Sequence, residues 1–109
     1  MSSMTMVLFR NGPDDGADAL ARILEDIARS RTGRYSVAQI DVHDRPWIAA
    51  HYNVRTTPTI LLMKDGQVVD RVVGTATSIL LHSLLDTRTA RHTTAASDGT
   101  TAASRYDVA

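Results

Sequence analysis

The sequence has no cysteine, one lysine (Lys64), one phenylalanine, one tryptophan and three prolines among its 109 residues. Without a thiol there is no disulfide, no thiolate metal site, no cysteine-ligated iron–sulfur cluster and no thiol redox cycle carried by this chain alone. No apolar run approaches the roughly 18 to 20 residues that span a bilayer. The start, MSSMTMVLFR, lacks the long apolar stretch and small-residue cleavage site of a secretory signal, so a cytoplasmic location is expected. Lys plus Arg and Asp plus Glu balance at a formal net charge of zero. No whole-molecule field therefore draws the chain to nucleic acid or an anionic membrane, and neither is expected as a partner.

What is present suffices for one domain with one modest core. The run TMVLFR (5–10) reads as a buried strand and ends at the turn-forming Asn11, Gly12 and Pro13. Asp14 or Asp15 then caps a helix in which Leu20, Ile23, Leu24 and Ile27 share one face, and Asp18 adds negative charge near its positive end. YSVAQIDV (35–42) is the next strand, and a strand–helix–strand order with short links implies a parallel pair. Asp44 is expected to cap a short helix carrying Pro46 in its first turn. TPTILLMK and QVVDRVV form a hairpin around Asp65 and Gly66. After Gly74, Thr75 or Thr77 begins a last helix whose buried side is expected to hold Ile79, Leu80, Leu81, Leu84 and Leu85. From Thr87 the chain is mostly Thr, Ala and Ser, so the ordered domain is expected over 1–86 and a disordered tail over 87–109. Tyr106, Asp107 and Val108 near its end read as an unselective solvated terminus or, alternatively, as a docking motif.

The order β, α, β, α, β, β, α, with ARILEDIA, SVAQIDV and HYNVRTTPTILLMKDGQVVDRVVG as its most telling segments, resembles the thioredoxin-like family. The resemblance runs without a gap from about Thr5 to Leu85 and implies an α/β fold with a four-stranded mixed sheet. The family carries a cis proline just before the hairpin, and Pro58 in VRTTPT is the matching position. Gly74 matches the family's glycine near the end of the last strand.

The departures from the family are as specific as the matches. Its Trp-Cys-Gly-Pro-Cys segment falls on Pro13, Asp14, Asp15, Gly16 and Ala17, its buried acid on Leu8, and the neighbouring lysine on Gln39. The resemblance thus implies a redox-inactive member without catalytic residues or cofactor. It would act as a protein- or peptide-binding module: an assembly factor, chaperone or accessory subunit. The expected binding face comprises Pro13, Asp14, Thr57, Pro58 and Gly74, where family members hold extended peptide. Redox-inactive relatives known as chaperones of metalloenzyme maturation offer an analogy.

The family's first strand and helix have no counterpart before TMVLFR, where only Met1 to Met4 stand. Residues 35–42 are therefore expected at an open sheet edge, with Tyr35, Val37 and Gln39 available to pair with another protein or with a second copy in a homodimer. Other chemistry has thinner support. His43, His51, His82 and His92 lack the spacing of metal ligands, so no metal is expected. Asp14, Asp15 and His43 or Asp44 form an acid/base set only if helix-capping aspartates are put to catalysis without a nucleophile. Trp47 is expected to pack beneath its helix.

Overall fold

The computed structural model describes residues 3–94, with side chains over 3–86. Its elements run β1 (Met4–Arg10), α1 (Asp15–Ser30), β2 (Tyr35–Asp41), α2 (Pro46–His51), β3 (Thr59–Lys64), β4 (Gln67–Val73) and α3 (Ser78–Thr94). The strands form one mixed sheet in the order β2-β1-β3-β4. β1 and β2 are parallel, with Met4 beside Tyr35 and Arg10 beside Asp41. β3 runs antiparallel to both β1 and β4. The expected α/β architecture is the observed one.

β1 supplies the centre of the molecule because both of its faces are covered. Met6 and Leu8 point into a core with Leu20, Leu24 and Ile27 of α1 and with Leu81 and Leu85 of α3. Val7 and Phe9 face the other way, against Ala49 of α2 and Leu61 of β3. A strand buried on both sides needs the continuous apolar run seen here rather than alternation. Phe9 meets Tyr52 edge to face, ring centroids 6.3 Å apart, which fastens the end of α2 to this second core. Arg71 of β4 reaches the same place, its guanidinium donating to the carbonyl oxygens of Tyr52 at 2.7 Å and Asn53 at 3.3 Å. It thereby satisfies acceptors that the helix end leaves open.

Asp14 caps α1: its backbone is extended and its Oδ1 accepts the Gly16 N–H at 3.0 Å. Asp65 and Gly66 turn the β3–β4 hairpin with φ of 54° and 79°, the positive pair that a type I′ turn requires. Thr77 opens α3, its hydroxyl oxygen accepting the Leu80 N–H at 3.1 Å.

Three expectations need correction. Asp44 does not cap α2. The preceding residue of that helix is Arg45, which makes no side-chain cap, because Asp41 holds the turn by accepting the amides of Asp44 and Arg45 at its carbonyl. Trp47 does not pack beneath α2 but stands 63% exposed, since Ala49 fills the position that faces the sheet. Ile79 and Leu80 are not on the buried side of α3 but 80% and 55% exposed. At about 100° per residue, the face that buries Leu81 and Leu85 cannot also bury the two residues before Leu81. The α3 backbone continues to Thr94, so the expected boundary at 86 falls inside the helix. Residues 95–109, with the terminal Tyr106, Asp107 and Val108, lie outside the described residues.

Candidate functional site

The sheet has one functionally distinctive end. The last residues of β1 and β2, the first of β3 and the last of β4 coincide there, since Phe9 pairs with Thr59 and Thr59 with Val73. All three helices begin just beyond it. Thr57 and Pro58 lead into β3 at this end, half-buried, joined by a cis peptide bond. The Pro58 carbonyl accepts the Gly74 N–H at 2.8 Å. Gly74 has φ +92°, a left-handed conformation that an L side chain rarely adopts. A methyl group built on Gly16 would stand 3.8 Å from Thr75 Cγ2. The start of α1, the β4–α3 loop and the Pro58 segment are therefore contiguous.

Of the expected binding residues, the structure thus links Asp14, Gly74, Thr57 and Pro58 through this chain of contacts. Pro13 is exposed on the loop before Asp14. Tyr35, Val37 and Gln39 lie on the edge strand instead, although Gln39 reaches back to the site through its side chain. Asp15 is exposed beside the cap. His43 is exposed, His51 stacks edge to face on Tyr52, and His82 lies 3.0 Å from the Arg31 guanidinium. The side chain of His92 lies outside the described residues. Among those described, no three His, Asp or Glu side chains gather as metal ligands would.

Sequence reasoning missed the polar network beneath this end. Arg10, the last residue of β1, turns a mostly buried guanidinium into the loop before α1. Its Nη2 donates to Asp18 Oδ1 at 2.6 Å, its Nη1 to Gln39 Oε1 at 3.1 Å, and longer contacts at 3.4 Å reach the carbonyls of Gly12 and Asp14. Asp41, beside Arg10 in the sheet, accepts the Gly12 N–H at 3.2 Å through both oxygens and the His43 N–H at 2.9 Å. These donors hold the Asp41 carboxyl below its ordinary value, the Gly12 amide most, then the His43 amide. Partial burial opposes the shift, and the charges of His43 and Arg10 add to it. A charged residue closing an otherwise apolar strand was the available signal. Its partner eight residues on, Asp18, reads from the sequence only as a helix-dipole residue.

At the α1 terminus the Asp14 carboxylate accepts the Gly16 amide, and Asp41 accepts the amides of Gly12 and His43. Beside exposed Asp15, His43 and Asp44, this end also exposes large apolar side chains: Trp47 in the first turn of α2, Val73 at the end of β4, and Ile79 and Leu80 in the first turn of α3. Among the described residues, four of the five large exposed apolar side chains stand at this end, flanking it from both sheet faces; Val68 stands at the other. A separate small apolar pocket of about 20 Å³ under α3, lined by Met6, Leu24, Ile60, Leu62 and Leu81, belongs to the core rather than to this surface.

A mixed sheet in this order, with α1 and α3 on one face and α2 on the other, defines a thioredoxin-like fold, and the site lies where the sheet meets the starts of its helices. The family model described as Thioredoxin matches residues 17–87, beginning at Ala17 of α1. The chain belongs to the thioredoxin family. It is 39% identical over 67 residues to proteins named thioredoxin from Staphylococcus aureus strains Mu50 and MW2, an alignment covering 62% of this chain. It spans 64% of the length of those relatives. Among solved structures, a single-substitution mutant thioredoxin from Halobacterium salinarum NRC-1 is similar with a TM-score of 0.69 and 28% identity. That likeness covers 78% of this chain and 74% of the other. Among the described residues no helix is long and apolar enough to cross a membrane.

Proposed function

We propose that this thioredoxin-family protein is redox-inactive and serves in the cytoplasm as a binding module for a protein or extended peptide, acting as an assembly factor, chaperone or accessory subunit. The relatives' names point to redox work, but a chain with no cysteine supplies no thiol to that chemistry. The observation that carries the reading is that exposed Trp47, Val73, Ile79 and Leu80 all stand at the Pro58 end of the sheet, while Arg10, Asp14 and Asp41 there are engaged within the fold. Aromatic and aliphatic side chains left in water beside a satisfied backbone are suited to burial against a partner. Use of Asp14 as a non-redox catalyst finds no support in a carboxylate already committed to a helix cap.

The test is co-purification of the tagged full chain from its native host at mild salt, with Thr57→Arg at the site and Val68→Ser at the far end. A stoichiometric partner should be retained by the wild type and by Val68→Ser, and its affinity should fall about 10-fold or more in Thr57→Arg, about 1.4 kcal/mol. A partner held equally by all three proteins would refute the assigned face. Insulin reduction by the purified chain with dithiothreitol should stay at the reagent's own rate; catalysis above it would refute redox inactivity.

A further inference from the structure

The two edges of the sheet are built differently. β4 carries the irregularities that discourage pairing: a register shift opposite Leu62 and Met63, and the adjacent charges Asp70 and Arg71. β2 has neither. Its register with β1 is unbroken from Tyr35 to Asp41, and no residue from Tyr35 to Ile40 is charged or proline. Ser36 and Ala38 are exposed.

The hydrogen bonds at its two ends fix which groups point outward. Arg34 C=O accepts the Met4 N–H at one end, and Val42 N–H donates to Arg10 C=O at the other. In a parallel ladder alternate residues face the neighbouring strand. The even-numbered residues of β2 therefore pair with β1, and Tyr35, Val37 and Gln39 direct their backbone N–H and C=O groups away from the sheet. No strand meets them among the described residues.

We infer that β2 pairs antiparallel with β2 of a second copy of this chain, about a two-fold axis at Ala38, joining two four-stranded sheets into one. Ala38 is the middle residue of the strand, so this register overlaps its whole length. Val37 then faces Gln39 of the other copy and Gln39 faces Val37, each pair exchanging both backbone bonds. The Tyr35 carbonyl accepts the amide of Asp41 at each end, for about six inter-chain bonds in all. Ala38 faces its own copy with the Cα atoms about 4.5 Å apart, the close spacing of a pair that exchanges no hydrogen bond, where a small side chain is needed. The occupant follows from charge. In this register the strand opposes no like charges when paired with itself, since its one charged residue, Asp41, falls opposite Tyr35 of the other copy. This surface is the outer edge of β2, two strands from β3 and Pro58, and does not depend on the proposed partner site.

Sedimentation velocity of the full chain from about 5 μM to about 500 μM, a range covering weak association, should show a concentration-dependent dimer. Ala38→Lys and Ala38→Glu each place like charges across the axis and should each weaken it about 10-fold or more. An equimolar mixture of the two variants should restore a dimer. Val68→Lys on the other edge strand should change nothing. Amide exchange at Val37 and Gln39 should slow as wild-type concentration rises, a readout that needs no variant. A monomer throughout the range would overturn the inference. So would a dimer indifferent to both Ala38 variants, a mixture no stronger than either variant alone, or a dimer whose formation leaves Val37 and Gln39 exchange unchanged.

Discussion

Replacing Arg10 by Met keeps an unbranched stem in its place and removes the guanidinium from the loop that precedes α1. The Asp18 contact is a charge-assisted bond at 2.6 Å, and such bonds contribute about 1.5–3 kcal/mol when enclosed. The Arg10 side chain is 15% exposed but Asp18 is 51% exposed, so water screens the carboxylate and about 1 kcal/mol is retained. The 3.1 Å bond to Gln39 contributes about another 0.5–1 kcal/mol. The carbonyl contacts at 3.4 Å lie beyond ordinary hydrogen-bond distances and add a few tenths at most. Arg10→Met should therefore destabilise the protein by about 2 kcal/mol, lowering the urea midpoint by about 1 M at the usual dependence for small domains. A double-mutant cycle with Asp18→Asn isolates the ion pair and should return about 1 kcal/mol of coupling, falling in 1 M salt. Coupling indistinguishable from zero, or an Arg10→Met protein within about 0.5 kcal/mol of wild type, would refute the view that this network holds the loop.

Three further outcomes are expected. Asp41, with its pKa lowered in the folded state, contributes stability that is present above the unfolded value of about 3.9 and is lost as pH falls through the folded value. Asp41→Asn should thus be less stable than wild type at pH 7, the gap closing below about pH 4; urea titrations across pH that show a constant gap would contradict the assignment. Gly74→Ala meets no atom within 4 Å but must hold φ +92°, so it should cost about 1–2 kcal/mol from backbone strain alone, read as a lowered Tm. Trp47→Ala removes a side chain 63% exposed and should leave stability within about 0.5 kcal/mol while weakening partner retention, so loss of both together would place Trp47 in the core.

The fold was legible because its signals are local and redundant. The i, i+3, i+4, i+7 spacing of Leu20, Ile23, Leu24 and Ile27 marks α1, Asp-Gly marks the hairpin, and an apolar run such as TMVLFR suits a strand covered on both faces. The start of α1 was legible at Asp14 for the same reason: a cap bonds to an amide two residues on. α3 was harder, because SILLHSLL offers more large apolar residues than one helix face accepts, and only packing against the sheet decides that Leu81 and Leu85 go in while Ile79 and Leu80 stay out. Arg10 was marked only as a charge closing an apolar strand, and what it and Asp41 bond to was not legible. Their partners, Gln39 and Gly12, are 29 residues away along the chain and become neighbours only when β1 and β2 lie side by side. The site's exposed apolar rim has the same origin, since burial is decided by tertiary contacts that composition does not specify.

The internal pairing of polar groups at the Pro58 end has a consequence for how a partner would be held. A free helix terminus recognises anions, and such binding weakens as salt screens the field. Here the Asp14 carboxylate accepts the Gly16 amide and the Asp41 carboxylate accepts the Gly12 amide, so two of the donors that an anionic ligand would use already serve the fold, beside two carboxylates that would repel it. Trp47, Val73, Ile79 and Leu80 instead offer area to bury, and burial of apolar surface depends little on ionic strength at moderate concentrations while giving a negative heat-capacity change on association. Partner affinity measured calorimetrically from about 50 mM to about 500 mM sodium chloride should therefore vary less than about 3-fold, with that negative heat-capacity change, whereas electrostatically held complexes weaken steeply over such a range. A steep loss of affinity with salt would mean that an opposite charge on the partner reaches Arg10, Asp14 or Asp41 by breaking their internal bonds, and the apolar rim would then be incidental to binding.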